Sequence, residues 1–217
     1  MKRRICARIE VSMSDKDFGT LDSMQFDVLK EIGNIGAGNA TTALSKLLNA
    51  KVDMKVPKIE LLEFKDLSDI IGGAENVVVG ILLTLDGDID GMIMFILEQE
   101  PAKAIVQMLM QGMCEVGEEF TEIELSALQE IGNIIAGAYL SSLSTLTNMT
   151  ITSSIPYLAI DMAGAILSVP AIEFGKISDK ALLIETEFGD KNLEVNGYFV
   201  LIPTLDSYKS ILTSLGM

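Results

Sequence analysis

Two sets of side chains in this chain could do chemistry, and they are the same set. Glu31 and Asn34 stand three residues apart, and Glu130 and Asn133 repeat the pair 99 residues later. An ionised carboxylate accepts hydrogen bonds, and a carboxamide both accepts and donates, so each pair can hold polar or charged groups. The chain has no histidine. That removes histidine acid–base chemistry and most zinc and copper sites. Cys6 and Cys114 are too few and too far apart for a disulfide framework or a thiolate cluster, and they fit a reducing cytoplasm.

The pairs belong to a longer repeat. Leu29 to Gly38 reads LKEIGNIGAG, and Leu128 to Gly137 reads LQEIGNIIAG. At the same offset Asp27 matches Ser126, Leu44 matches Leu143, Ser45 matches Ser144, and Pro57 matches Pro156. A repeat of this length reads as a duplication. Asp22-x-x-Gln25 and Thr121-x-x-Glu124 are capping boxes placed just before apolar periodicity begins, so each copy should be a helix. At about 100° per residue, Asp27, Glu31 and Asn34 fall within roughly 60° of one another. Gly38 and Ser45 continue that polar stripe, and Leu29, Ile32, Gly36, Ala40, Ala43 and Leu47 take the opposite, buried face. The second helix repeats the stripe with Ser126, Glu130, Asn133, Gly137 and Ser144.

Glycine in a helix interior costs about 1 kcal/mol relative to alanine. Gly33 and Gly36 fall towards the buried face, where they would admit a neighbouring element. Gly38 and Gly137 lie on the stripe, where a missing side chain opens space beside Glu and Asn. One such pair is most simply the solvated edge of a packed helix. Its recurrence at the same phase with the same glycines favours function.

With 217 residues, 49 % of them apolar, the chain can bury a sizeable core. The repeat suggests two halves, about 21–113 and 120–217, sharing that core after an extension over 1–20. A net charge of −15 argues against nucleic acid and against anionic membrane surfaces. The basic start lacks an apolar signal region. The weakly polar run from Ile155 to Ile172 contains Asp161 and two prolines, and reads as buried sheet and turn.

Taken in order, helices are expected over 24–48 and 122–146, and a Pro57-containing edge strand over 51–60. A short helix is expected over 61–71. Strands over 76–85 and 90–97 flank an Asp86-Gly87-Asp88 turn, and strands over 181–188 and 193–202 form a second hairpin. Pro101 opens a helix ending near Met113, residues 115–119 form an acidic linker, and a helix over 205–215 closes the chain. The methionines at 92, 94, 108, 110 and 113 read as core. Gly91 and Gly197 match at an offset of 106, so about seven extra residues lie between Tyr157 and Lys180. Hairpin-linked strands call for an antiparallel sheet with helices on a face, an α+β fold with pseudo-twofold symmetry.

The pattern Asp27-x3-Glu31-x2-Asn34-x22-Pro57, repeated from Ser126 to Pro156, resembles the CheC family of chemotaxis phosphatases, in the CheC/CheX/FliY group. The resemblance covers about residues 21–217. It implies hydrolysis of the aspartyl phosphate on the response regulator CheY, with Glu31 and Asn34 in one site and Glu130 and Asn133 in another. Asp27 and Ser126, one turn before Glu, would support it, and Pro57 and Pro156 are read as structural. It also implies a monomer with the receptor deamidase CheD as partner, and no cofactor of its own, the Mg²⁺ coming with the regulator. In the family the CheD surface lies in the second half, where an Asp-Met pair matches Asp161-Met162. A buried reading of Asp161 competes with this one, the carboxylate being satisfied by a cap or turn. Three further readings stand beside phosphatase activity on CheY: a CheD regulator without turnover, a flagellar switch component, and a phosphatase of another regulator.

Overall fold

The computed structural model describes residues 23–48, 51–110, 117, 119–174, 180–189 and 194–216. The elements in chain order are α1 (Ser23–Leu48), β1 (Asp53–Glu63), a 3₁₀ turn (Phe64–Asp66), α2 (Leu67–Ile70), β2 (Val77–Gly87), β3 (Gly91–Glu98) and α3 (Gln99–Leu109). The second half continues with α4 (Glu122–Thr147), β4 (Ile151–Ser153), β5 (Tyr157–Met162), α5 (Ala163–Phe174), β6 (Lys180–Gly189), β7 (Glu194–Pro203) and α6 (Leu205–Ser214).

All strand pairs are antiparallel, in the order β1-β6-β7-β3-β2, with β4 and β5 both pairing β2 at the far edge. Exchanging the halves (β1 for β4 and β5, β2 for β6, β3 for β7) reverses this order onto itself. The centre of the pseudo-twofold lies between β3 and β7, where Met94 pairs directly with Val200, 106 residues on. The expected hairpins form, and the residues linking β6 to β7 lie outside the described ones.

Helices cover both faces of the sheet, not one. Alternate residues of β2, such as Val79, Ile81 and Leu83, join a core with Leu29, Ile32, Leu128 and Ile131 from α1 and α4. The intervening Val78 and Leu82 join a second core with Leu67 of α2, Ile71 just after it, and Ile166 and Leu167 of α5. The sequences of β2 and β3, VVVGILL and MIMFIL, are continuously apolar because both faces are buried. Met92 and Met94 are buried, and Met108 and Met110 pack partly on the core; Met113 lies outside the described residues.

Several local expectations shift. Residues 61–63 extend β1, so the helix expected over 61–71 is only a 3₁₀ turn followed by one α turn. α3 begins at Gln99, which puts Pro101 third in the first turn, where backbone N–H groups have no helical partner. The run from Ile155 to Ile172 is not buried sheet and turn. It becomes β5 and then α5, and both end isoleucines are exposed. α5 holds the extra length of the second half, at the place where the first half has α2. Pro57 sits in edge strand β1 where the pairing to β6 shifts register between Lys55 and Lys58, a position that needs no ladder N–H. No helix among the described residues is long and apolar enough to cross a membrane.

Candidate functional site

α1 and α4 lie side by side over the sheet and touch through their small residues. A Cβ on Gly36 would lie 2.7 Å from the Tyr139 ring, and Asn39 Nδ2 donates to Ser142 Oγ at 3.2 Å. Tyr139 in turn stacks on Phe199 of β7, ring centres 4.3 Å apart, and burial pushes its phenol pKa up. Close approach at Gly36 is therefore what pairs the helices. The Thr121 capping box forms: Thr121 N donates to Glu124 Oε2 at 2.6 Å, and Glu124 N to Thr121 Oγ1 at 3.4 Å. It fixes where α4 starts, a contribution of about 1 kcal/mol. The corresponding box at Asp22 lies outside the described residues.

The stripes face outward. Asp27, Glu31, Asn34 and Gly38 are all exposed on α1, as are Ser126, Glu130, Asn133 and Gly137 on α4. Leu29, Ile32, Gly36 and Ala40 are buried opposite them. Among the described residues, the side chains of Glu31, Asn34, Glu130 and Asn133 form no hydrogen bond or ion pair. A Cβ on Gly38 or Gly137 would meet nothing within 4 Å. Each stripe thus offers a free carboxylate and a free carboxamide beside open space. The apolar cleft between the helices and the sheet, lined by Leu29, Ile32, Tyr139 and Phe199, lies on the inward side, so the stripes are surface features.

The stripe ends earlier than the sequence suggests. Ser45 Oγ accepts from Val52 N at 3.1 Å, and Ser144 Oγ donates to Met149 O at 2.6 Å. These equivalent serines tie each helix to the chain that follows it. Leu47, expected on the buried face, is half exposed, because the last turn of α1 runs past the edge of the core.

Asp161 is exposed at the end of β5, and its Oδ1 accepts from Met162 N at 2.7 Å where the chain turns into α5. This corrects the buried reading, though the carboxylate does stabilise a turn. Met162 is half exposed beside it, on a strand that, among the described residues, pairs with β2 alone. The structure therefore keeps Asp161 and Met162 off the helix that carries Glu130 and Asn133.

One residue at the second stripe had no sequence signal. Gln129 Nε2 donates to Pro156 O, joining the loop between β4 and β5 to α4. At the same offset the first helix has the exposed Lys30. The difference between Lys and Gln is visible in the sequence, but its meaning depends on the break between β4 and β5.

The sequence profile of the CheC-like family matches residues 24–61 and 123–156, which are the two site helices and the strands after them. The chain is 35 % identical over 205 residues to the CheY-P phosphatase CheC of Bacillus subtilis, covering 92 % of this chain and 97 % of that protein. It is 33 % identical over 137 residues to the flagellar motor switch phosphatase FliY of the same organism, covering 63 % of this chain and 35 % of that protein. The crystal structure of Thermotoga maritima FliY superposes with a TM-score of 0.73 at 26 % identity, covering 91 % of this chain and 98 % of that one. Two outward stripes sharing Glu, Asn and Gly, on paired helices over one antiparallel sheet, together with this identity over nearly the whole length, show that the chain belongs to the CheC-like family.

Proposed function

We infer that this chain is a phosphatase of a CheY-type response regulator, a hydrolase that removes the phosphoryl group from the regulator's aspartate. What carries this reading is the paired Glu and Asn, present twice, exposed, unengaged and beside open space. The helix that bears them matches a family whose relative over nearly the full length is a CheY-P phosphatase.

Hydrolysis of an acyl phosphate needs an in-line water and charge stabilisation, and little covalent chemistry from the helper protein. Asn34 and Asn133 hold and aim that water through their amides, as a glutamine orients the attacking water in GTPases. Glu31 and Glu130 pair with a basic group on the regulator and set the register of docking. Asp27 and Ser126 line the same stripe one turn earlier. The regulator would bring the phosphoaspartate and a Mg²⁺ ion, which would neutralise charge on the phosphoryl oxygens. An outward site suits a substrate that is itself a folded protein. The chain works in the cytoplasm, as a monomer carrying both sites.

CheD is the second partner in this reading, bound at Asp161 and Met162. Support comes from their exposure on a strand separate from both site helices.

The test is single-turnover loss of phosphate from a phosphorylated CheY-type regulator, titrated over its concentration. Asn34→Ala and Asn133→Ala should each lower the rate at saturation, and the double variant should lose at least about 100-fold. Glu31→Ala with Glu130→Ala should chiefly raise the half-saturating concentration. A folded double Asn variant with wild-type turnover would leave a binding module without this chemistry.

A further inference from the structure

The two stripes differ at one edge. Val56 and Ile155 are equivalent at the repeat offset, yet Val56 is 7 % exposed and Ile155 is 88 % exposed. The cause is which strand fills the notch under each helix. A Cβ on Gly33 would lie 2.7 Å from Ile59 and 3.6 Å from Val56, both on β1. A Cβ on the equivalent Gly132 would lie 2.7 Å from Ile81 of β2 instead. With β2 occupying that seat, the segment carrying Ile155 has no place beneath α4.

That segment is nevertheless held. Ser154 N donates to Thr84 O at 2.9 Å, and Thr84 N donates to Ser154 Oγ at 3.1 Å. Ser154 Oγ donates to Ile155 O at 2.9 Å, and Gln129 Nε2 donates to Pro156 O. Ile155 is thus fixed from both sides. On α4, Gln129 lies about 40° from Asn133 around the helix axis, so the loop borders the stripe on the Asn133 side. At the other end, Ile123 is 70 % exposed and shares the phase of Glu130. A large apolar side chain in a pinned loop costs little ordering entropy when it is covered.

We propose that Ile155, positioned by Gln129, and Ile123 form an apolar docking surface for the phosphorylated response regulator at the second site, with an Ile155 edge that the first site lacks because its equivalent Val56 is buried. This rests on the phosphatase reading above. The occupant is the regulator because the two isoleucines are continuous with the stripe that must contact it. Polar stripe and apolar edge together make the usual anatomy of a protein interface, with an apolar anchor carrying much of the affinity.

The experiment isolates one site at a time. In Asn34→Ala protein, only the second site works. There Ile155→Ser should raise the half-saturating regulator concentration about tenfold, as expected for losing a buried isoleucine, with turnover at saturation within about twofold. Ile155→Met should restore it, and Gln129→Ala should shift half-saturation in the same direction. In Asn133→Ala protein, where only the first site works, Ile155→Ser should leave half-saturation where it was. Unchanged half-saturation in the Asn34→Ala background would overturn the proposal, and so would an equal shift in both backgrounds. Sedimentation showing a wild-type dimer that Ile155→Ser dissociates would assign the surface to a second copy of the chain and overturn it as well. Failure of the phosphatase reading shows differently, as turnover that survives Asn34→Ala with Asn133→Ala, and it takes this proposal with it.

Discussion

α1 and α4 carry the same outward stripe on different foundations. α1 rests on its own following strand: Gly33 meets Ile59 and Val56 of β1. α4 rests on a strand of the other half: Gly132 meets Ile81 of β2. The strand that follows α4 is broken into β4 and β5 and is tied to the helix by a glutamine and a backbone carbonyl. The outer residues match at every stripe position except Asp27 for Ser126. The difference teaches that the inward faces answer to their local packing partners, which can diverge. The outward faces answer to something common to both helices, which a shared substrate would supply.

The largest expected effect tests the foundations. At Gly132 an added methyl would press on both branches and the Cβ of a fully buried Ile81, at 2.7 to 3.0 Å. At Gly33 it would press on Ile59 Cδ1, the far end of a half-buried side chain that can turn away. Overpacking costs about 1–3 kcal/mol, and replacing a helical glycine by alanine returns about 1 kcal/mol. Gly132→Ala should therefore lower stability by up to about 2 kcal/mol, and Gly33→Ala should leave it nearly unchanged. Urea unfolding midpoints of the two variants measure this. Equal losses would mean that the helices are supported alike.

The legible part of the fold followed from this repetition. Glu, Asn and the glycines recur at one helical phase, so both site helices, their outward stripes and the hairpins could be read from spacing alone. The capping box at Thr121 could be read because its partners are three residues apart. What could not be read was long-range. Gly132 carries no mark that its neighbour is Ile81 and not a residue of its own half. The buried second face of β2 appears only as an unbroken apolar run, which a one-sided sheet and a two-sided one explain differently. α5 was hidden because AGAILSVPAI has no alternation of polar and apolar positions and contains Pro170. Its packing on the second core sets its helical state, through Ala163, Ile166 and Leu167.

A smaller effect separates the second half by its added surface. α5 is far longer than α2, its counterpart in the first half, and Asp161 stands exposed where β5 joins it. Asp161→Lys reverses a charge and removes the hydrogen bond to Met162 N, which is solvent-exposed. CheD affinity should fall about tenfold, as for a charge reversal at an interface. Dephosphorylation without CheD should stay at the wild-type rate, and the melting temperature should move by no more than a degree or two. A binding titration with CheD, the phosphate assay and a melting curve check the three parts. Unchanged affinity in a folded variant would sink the surface assignment. A large fall in melting temperature would make the turn into α5 a structural requirement instead.

The smallest effect asks whether the glycines on the stripes serve the fold or the substrate. Gly38 and Gly137 have negative-φ helical backbone, and an added Cβ meets nothing within 4 Å at either. For the fold alone, alanine is the better residue at both, by about 0.5–1 kcal/mol each. Their presence twice, one turn beyond the Asn, then needs another reason. In the mechanism proposed above the regulator's approach would supply one: its backbone would have to come close enough for Asn34 or Asn133 to share a water with the phosphoryl group. Gly38→Ala and Gly137→Ala should each raise the urea midpoint and lower the rate at the altered site several-fold. Scored separately in Asn133→Ala and Asn34→Ala backgrounds, the two losses should match, because the stripes match. Gly137→Ala should lose less only if the apolar edge at Ile155 holds the regulator tightly enough to compensate at saturation. A rise in stability with unchanged rates at both sites would show that the open space is not used, and the stripe's common substrate would have to approach from the Asp27 and Ser126 end.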